Sequence, residues 1–313
     1  MHWMIKAGIQ NSVALLPDPM SNHVYYALQR RFGGLRSITV EEKLRQGIEV
    51  AGRAERNGLR IPGARVLEVG TGRRLNLPLS LWLQGADGIT TVDLNPYLRP
   101  ELVLEDLRQM RDERVRVEAL FGERLDHGRL RKLLALADDF DLGRLLDTCS
   151  IRYLSPGDAA DTGLADGTID LHVSYEVFEH IPGPVLEAIL REGSRLLSSN
   201  GLLVHYIDFS DHFSHSDPGI GPINFLQYGE GAFRLLAGNR YMYMNRLRLD
   251  DFRRLYAKAG QRVLEQVAAP DPATAESLAH GKARLSPAFA GKAPAILATL
   301  NAWLVSRPER ATA

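Results

Sequence analysis

Hydrophobic and polar positions change period along the chain. Through residue 57 they recur at helical spacing. Thr39-Val40-Glu41-Glu42 has the form of a capping box, with Thr39 as N-cap and Glu42 at the third helical position. Leu44, Ile48 and Ala51 follow on one face, and Gly58 is the expected stop. After Ile61-Pro62-Gly63 the period shortens. Residues 65–69 (RVLEV) predict a buried strand. Residues 75–83 predict a helix that tolerates Pro78 in its first turn, and 89–93 a β-branched strand ending in an acid. Strand, glycine turn, helix and strand make a βαβ unit, hence a parallel sheet.

Residues 100–150 are charged and leucine-rich at helical spacing and read as a helical insertion, with disorder expected near 122–128. Strands are predicted at 169–174 and 202–207, on either side of an amphipathic helix over 184–197. Asp250 is expected to cap a helix that runs through Ala259 and stops at Gly260. Residues 262–267 and 296–305 read as the last two strands, and the Ala-, Pro- and Gly-rich stretch 268–290 as a long connection. The expected division is a helical cap over 1–57 and one α/β domain over 58–313.

Composition narrows the classes. The chain has 313 residues, with 38 Lys+Arg against 38 Asp+Glu. Zero formal charge argues against a general nucleic-acid binder. The lone Cys149 excludes a disulfide framework and any multi-cysteine metal site, and reads as an inert buried thiol. Arg30, Arg31 and Arg36 read as an ordinary solvated face. No apolar run reaches the roughly 18 residues needed to span a bilayer. The amino terminus is a poor signal peptide and reads as a short amphipathic helix. A soluble cytoplasmic protein is expected.

The candidate cofactor site is Glu68-Val69-Gly70-Thr71-Gly72, at the carboxyl end of the first strand, where open parallel sheets bind ligands. The glycines permit a tight turn and close approach to the backbone. Asp93 ends the second strand about 20 residues on, where an acid can accept from ribose hydroxyls. Leu75 stands where a dinucleotide turn needs a small residue, which counts against NAD. Glu68 suits a cationic ligand with an amino group, such as S-adenosylmethionine.

At these residues the sequence resembles the class I S-adenosylmethionine-dependent methyltransferases, especially the type 11-like group with an E-V-x-E-H-I segment. The matching stretches are VLEVGTG at 66–72, TVDLNP at 91–96, GDAADTGLADGTIDLHVSYEVFEHI at 157–181 and REGSRLLSSNGLLVHYIDFSDH at 191–212. NRLRLDDFRRLYAKAGQRVLE at 245–265 looks like the family's late helix and strand. The resemblance implies a Rossmann-like sheet of seven strands, mostly parallel, the last antiparallel. It implies that Glu68, Gly70, Thr71 and Gly72 line the methionine end of the cofactor and that Asp93 holds the ribose. Leu94 would flank the adenine, Asp158 and Ala159 would lie near it, and Glu176 would face the cofactor. The chain departs from the family in two places. Arg74 stands at the third glycine position of E-x-G-x-G-x-G, and the insertion lengthens the gap between Asp93 and Asp158.

Five of the nine histidines fall between 172 and 215, beside the acceptor-side segment expected over about 208–248. His180, Asp208 and His212 are the candidates for a general base or, less simply, a divalent-metal set. Alternation along the strand is expected to bury His205, and His172 reads as a core histidine; His212 and His215 also fit an exposed loop. Residues 224–228 and 240–246 fit either an acceptor wall or a packed lid. The expected activity is methyl transfer to a small-molecule acceptor, foremost a hydroxyl of a sugar, glycan or natural product, with no nucleic-acid partner. Nitrogen or carbon acceptors, a non-catalytic binding protein of the same fold, and an NAD-dependent enzyme are the alternatives.

Overall fold

The computed structural model describes residues 1–36 and 39–309. Three helices come first: α1 (Trp3–Ala14), α2 (Asp18–Phe32) and α3 (Val40–Arg56). Then follow β1 (Arg65–Val69), α4 (Asn76–Leu83) and β2 (Gly88–Val92). The insertion is α5 (Pro100–Asp112), α6 (Arg114–Phe121), α7 (His127–Ala135) and α8 (Leu142–Thr148). After it come β3 (Ile151–Leu154), β4 (Ile169–Tyr175), α9 (Gly183–Leu196) and β5 (Leu197–Asp208). The remainder is α10 (Glu230–Ala237), α11 (Leu249–Lys258), β6 (Gln261–Val267), α12 (Pro272–Ala279), α13 (Pro287–Ala290), α14 (Pro294–Ala298) and β7 (Asn301–Pro308).

The seven strands form one sheet in the order β3-β2-β1-β4-β5-β7-β6. The first five pair in parallel, and β7 lies antiparallel between β5 and β6. Helices cover both faces, so the central strands are apolar on both sides. Val66, Leu171, Val173, Leu202 and Val204 pack under α3, α4 and the insertion. Leu67, Ile169, Leu203, Ile207 and Leu304 pack under α9 and α11. A third cluster joins Trp3 and Ala7 of α1 to Phe213, Phe225, Phe233 and Phe289. The helical run over 1–57 therefore divides: α3 packs with the sheet layers, and α1 packs with the segment that follows β5. Among the described residues no helix is long and apolar enough to cross a membrane.

Several local expectations need correction. Thr39 is the N-cap of α3, but its side chain makes no capping hydrogen bond. The amide oxygen of Gln109, from α5, instead accepts from the Val40 N–H at 3.3 Å. Residues 122–128 are ordered: Phe121 and Leu125 are buried, and Asp126 caps α7 by accepting from the Arg129 N–H at 2.9 Å. Asp250 is not the cap of α11. Arg248 is, its own N–H donating to the Asp251 carboxylate at 2.8 Å, while Asp250 pairs with Lys292. The stretch 268–290 contains α12 and α13, and the expected strand 296–305 begins as α14, with β7 starting only at Asn301. The seventh strand is β3, which hydrophobic patterning missed because only Ile151 of its four residues is buried.

Candidate active site

Strand order reverses between β1 and β4, so the chain leaves their carboxyl ends toward opposite sides and opens a crevice. The cleft there has a volume of about 810 Å³. The turn after β1 forms one wall. Gly70 sits at φ +92°, and a Cβ on it would meet Val177 at 2.5 Å, so glycine is required twice over. Gly72 sits at φ +64° with open space around it. Its N–H donates to Asp93 Oδ2 at 2.9 Å, and the Asn95 N–H donates to Oδ1 at 3.1 Å. Asp93 thus clamps the turn while it lines the cleft. Burial raises its pKa, and those N–H donors offset the rise in part.

Glu68 is 4% exposed and faces a smaller recess beside the cleft, shared with Gly70, Thr71, Arg73 and Lys43. The Thr91 hydroxyl donates to Glu68 and is itself linked to the Thr71 hydroxyl. Burial pushes the Glu68 carboxyl up to about 8 despite the Thr91 bond, and Asp93 adds to the rise. Arg73 borders both spaces, and its buried Nη1 has no hydrogen-bond partner among the described residues. The half-buried Arg73 guanidinium lies over the Tyr26 and Tyr97 rings and acts on Asp93, so the recess sets a buried acid beside a cation. Leu94, 70% exposed, and Asp158 and Ala159 line the far end of the cleft. Glu176 lines it after β4, at φ +56°, a strained value for a non-glycine residue.

The second group of candidates gathers after β4 and β5. His180 stands in the cleft wall with its outer edge open to solvent. Its Nδ1 donates to the Tyr243 carbonyl at 2.8 Å. The surrounding protein, and next His212, hold this imidazole below its ordinary value. The His180 and His212 rings lie 5.0 Å apart, and His212 Nε2 lies 3.2 Å from Asp208 Oδ2. Burial works to raise the Asp208 pKa, but His212 and the Ser210 N–H bring it below its usual range. So His180, Asp208 and His212 do come together. His172 and His205 do not join them. They are fully buried, 2.9 Å apart, and His205 bonds the Tyr256 hydroxyl.

Residues 127–205 match the family model described as a methyltransferase domain. The match runs from α7 to β5 and takes in Asp158, Ala159, Glu176 and His180, and the sheet has the seven strands, mostly parallel with the last antiparallel, that the resemblance implies.

The matched domain and the sheet support a class I S-adenosylmethionine-dependent methyltransferase.

No curated protein matches this methyltransferase by sequence. Solved structures that resemble it include geranyl diphosphate C-methyltransferase from Streptomyces coelicolor, at 11% identity over 84% of this chain and 79% of that one, TM-score 0.46. Magnesium protoporphyrin IX methyltransferase from Synechocystis matches at 13% identity over 92% and 95%, TM-score 0.45. An S-adenosylmethionine-dependent methyltransferase from Clostridium acetobutylicum matches at 11% over 92% and 99%, TM-score 0.45. At such distances the likeness says nothing about this methyltransferase's substrate.

Sequence reasoning missed several cleft residues. Tyr25 of α2 and Tyr97 both reach the cleft, and Tyr25 stacks at 3.9 Å on Tyr241, which lies within an expected wall segment. Of the two proposed wall segments, 240–246 supplies Arg240, Tyr241 and Tyr243 to the cleft, while Met242, Met244 and Arg246 are buried in packing. The segment 224–228 is packed lid: Phe225 and Leu226 are buried in the cluster around Trp3. Glu179, which precedes His180 in the quoted motif, was also overlooked. It is 2% exposed, and burial raises its pKa well above the carboxylate range. Cys149 is buried and its thiol is pushed up to about 12, which makes it inert at neutral pH.

Proposed function

We propose that this methyltransferase is a cytoplasmic enzyme that methylates a hydroxyl oxygen of a small-molecule acceptor, a sugar, glycan or natural product. The observation that carries the reading is the Asp208–His212 pair, at 3.2 Å, behind His180 on the cleft wall. S-adenosylmethionine, when bound, supplies an already activated methyl group. The chain's residues then have two tasks, to place the acceptor oxygen in line and to take its proton.

In this reading Glu68 and Arg73 hold the amino-acid end of the cofactor, Asp93 the ribose, and Leu94, Asp158 and Ala159 the adenine end. Gly70, Thr71 and Gly72 shape the turn, and Glu176 faces the reacting end. His212 is the base, because Asp208 orients its ring and stabilises the imidazolium formed when it takes a proton. His180, neutral at pH 7, keeps Nε2 free to accept a hydrogen bond from the acceptor. The cap helix α2, through Tyr25, and the 240–243 stretch cover the cleft and exclude water. Zero net charge suits a small acceptor better than a nucleic acid.

The test is calorimetry with S-adenosylhomocysteine, followed by turnover against a panel of hydroxylated acceptors. Micromolar cofactor binding and His212-dependent O-methylation are expected. No measurable cofactor affinity would sink the reading.

A further inference from the structure

We propose that Glu179, His180 and His212 form a binding site for a first-row divalent transition cation beside the cleft, whose wall includes His180. The acceptor-related consequence rests on the methyl-transfer reading; the metal site itself does not.

One donor atom from each of these three side chains falls within 4.8 Å of the others. An ion with bonds of about 2.0–2.1 Å holds its ligand atoms at most about 4.2 Å apart, so small side-chain rotations close the set. Glu179 supplies the independent reason to expect an ion. Neither of its oxygens has a hydrogen-bond partner of good geometry among the described residues. The charged side chains that act on it are Asp208 and Glu176, both acids. The backbone N–H groups of Asp208 and of Glu179 itself offset the cost of burying this carboxyl beside two other acids only in part, and a cation would supply what is missing.

Each histidine keeps one ring nitrogen free. The carbonyl of Tyr243 can only accept, so His180 carries its proton on Nδ1 and leaves the Nε2 lone pair free. Asp208 accepts from His212 Nε2, which leaves the lone pair on Nδ1. A carbonyl or carboxylate on the far nitrogen is the usual outer support of a metal-bound imidazole. Two imidazoles and one carboxylate favour manganese, iron, cobalt or zinc over magnesium or calcium. Such an ion keeps open positions and lowers the pKa of a hydroxyl that binds it. With the ion in place His212 is a ligand and not the base, so the two roles of His212 exclude one another. Glu179 has a part only in the metal site and separates them.

The experiment is titration of chelator-treated full-length protein with Mn²⁺ followed by electron paramagnetic resonance, and with Co²⁺ followed by its visible spectrum. One ion per chain is expected, with the Co²⁺ bands of nitrogen-ligated metal. Glu179→Gln and His180→Asn should each weaken binding at least tenfold, and Asp208→Asn about 10–100-fold through the ligand it supports. Affinity for S-adenosylhomocysteine in Glu179→Gln should stay within about twofold, which also shows that the variant folds. Absence of Mn²⁺ and Co²⁺ binding at about 1 mM, or unchanged binding in both Glu179→Gln and His180→Asn, would overturn the site. Metal binding without cofactor binding would leave the site standing and remove the methyl-transfer reading. Cofactor binding without metal would do the reverse.

Discussion

Glu68 offers the sharpest test of how the cofactor is held. Its carboxyl is raised to about 8 in the free protein, chiefly by burial. At pH 7 about nine-tenths of it is therefore protonated, and ionising it costs about 1.4 kcal/mol, the equivalent of one pH unit. A cofactor ammonium seated against Glu68 requires the carboxylate, so binding at pH 7 must release most of one proton. The competent form is the deprotonated one, so affinity rises with pH. It should climb about tenfold per unit between pH 6 and 7 and level off above pH 8.

The assay is isothermal titration calorimetry with S-adenosylhomocysteine in phosphate and in Tris, whose different ionisation heats count the protons. Glu68→Gln mimics the neutral acid. It should bind like the wild type at pH 6, lose the proton release, and fall about tenfold behind at pH 7. No proton release at pH 7 together with a flat affinity profile would refute the reasoning, as would a variant that keeps the wild-type slope.

The same group predicts stability in the free protein. Its folded pKa lies above the usual 4.5, so its contribution is full below that value and is lost as pH rises through about 8. The melting temperature of the free protein should fall between about pH 5 and 8 and level off above, and Glu68→Gln should flatten the fall. Gly70→Ala, with its clash on Val177 and φ of +92°, should cost more than Gly72→Ala, about 2–3 against about 1–2 kcal/mol in denaturant unfolding. Asp93→Ala should weaken cofactor binding by about 1.5–3 kcal/mol and also loosen the turn, since it removes the acceptor for the Gly72 N–H. In metal-free protein His212→Ala should lower turnover by about 10²–10⁴ while cofactor affinity holds, as single-turnover and binding measurements would show.

The first βαβ unit was legible in the sequence because strand burial, glycine spacing and the terminal acid all agree there. The histidine group was legible only in part. Alternation along β5 correctly separates His205 from Asp208, yet nothing in a linear pattern says that His180, after β4, meets His212, after β5. That contact depends on β4 and β5 being neighbours in the sheet. Glu179 was hidden by its charge: an acid between Phe178 and His180 reads as solvent-facing, and only the short helical turn over Phe178–His180 buries it. The errors at 250 and 296–305 share one cause. Tertiary partners, Arg248 inserted among the Phe209, Leu297 and Thr299 carbonyls, set these boundaries more strongly than local propensity does.

Arg74 shows how a departure from a motif can leave the motif's geometry intact. Gly70 and Gly72 need their positive φ; Arg74 does not adopt one, so the third position makes no backbone demand for glycine. Its side chain is free to work elsewhere. It pairs with the buried Asp106 and with Glu105, and donates to the Leu102 carbonyl at 2.9 Å, all on α5. Burial outweighs this pairing and holds Asp106 at about 7, so without Arg74 the acid would remain buried and protonated. The substitution thus pins the insertion to the cofactor turn. The two departures from the family pattern, the extra helices and the lost glycine, are physically one feature, and Arg74→Gly should loosen α5 without restoring anything to the turn.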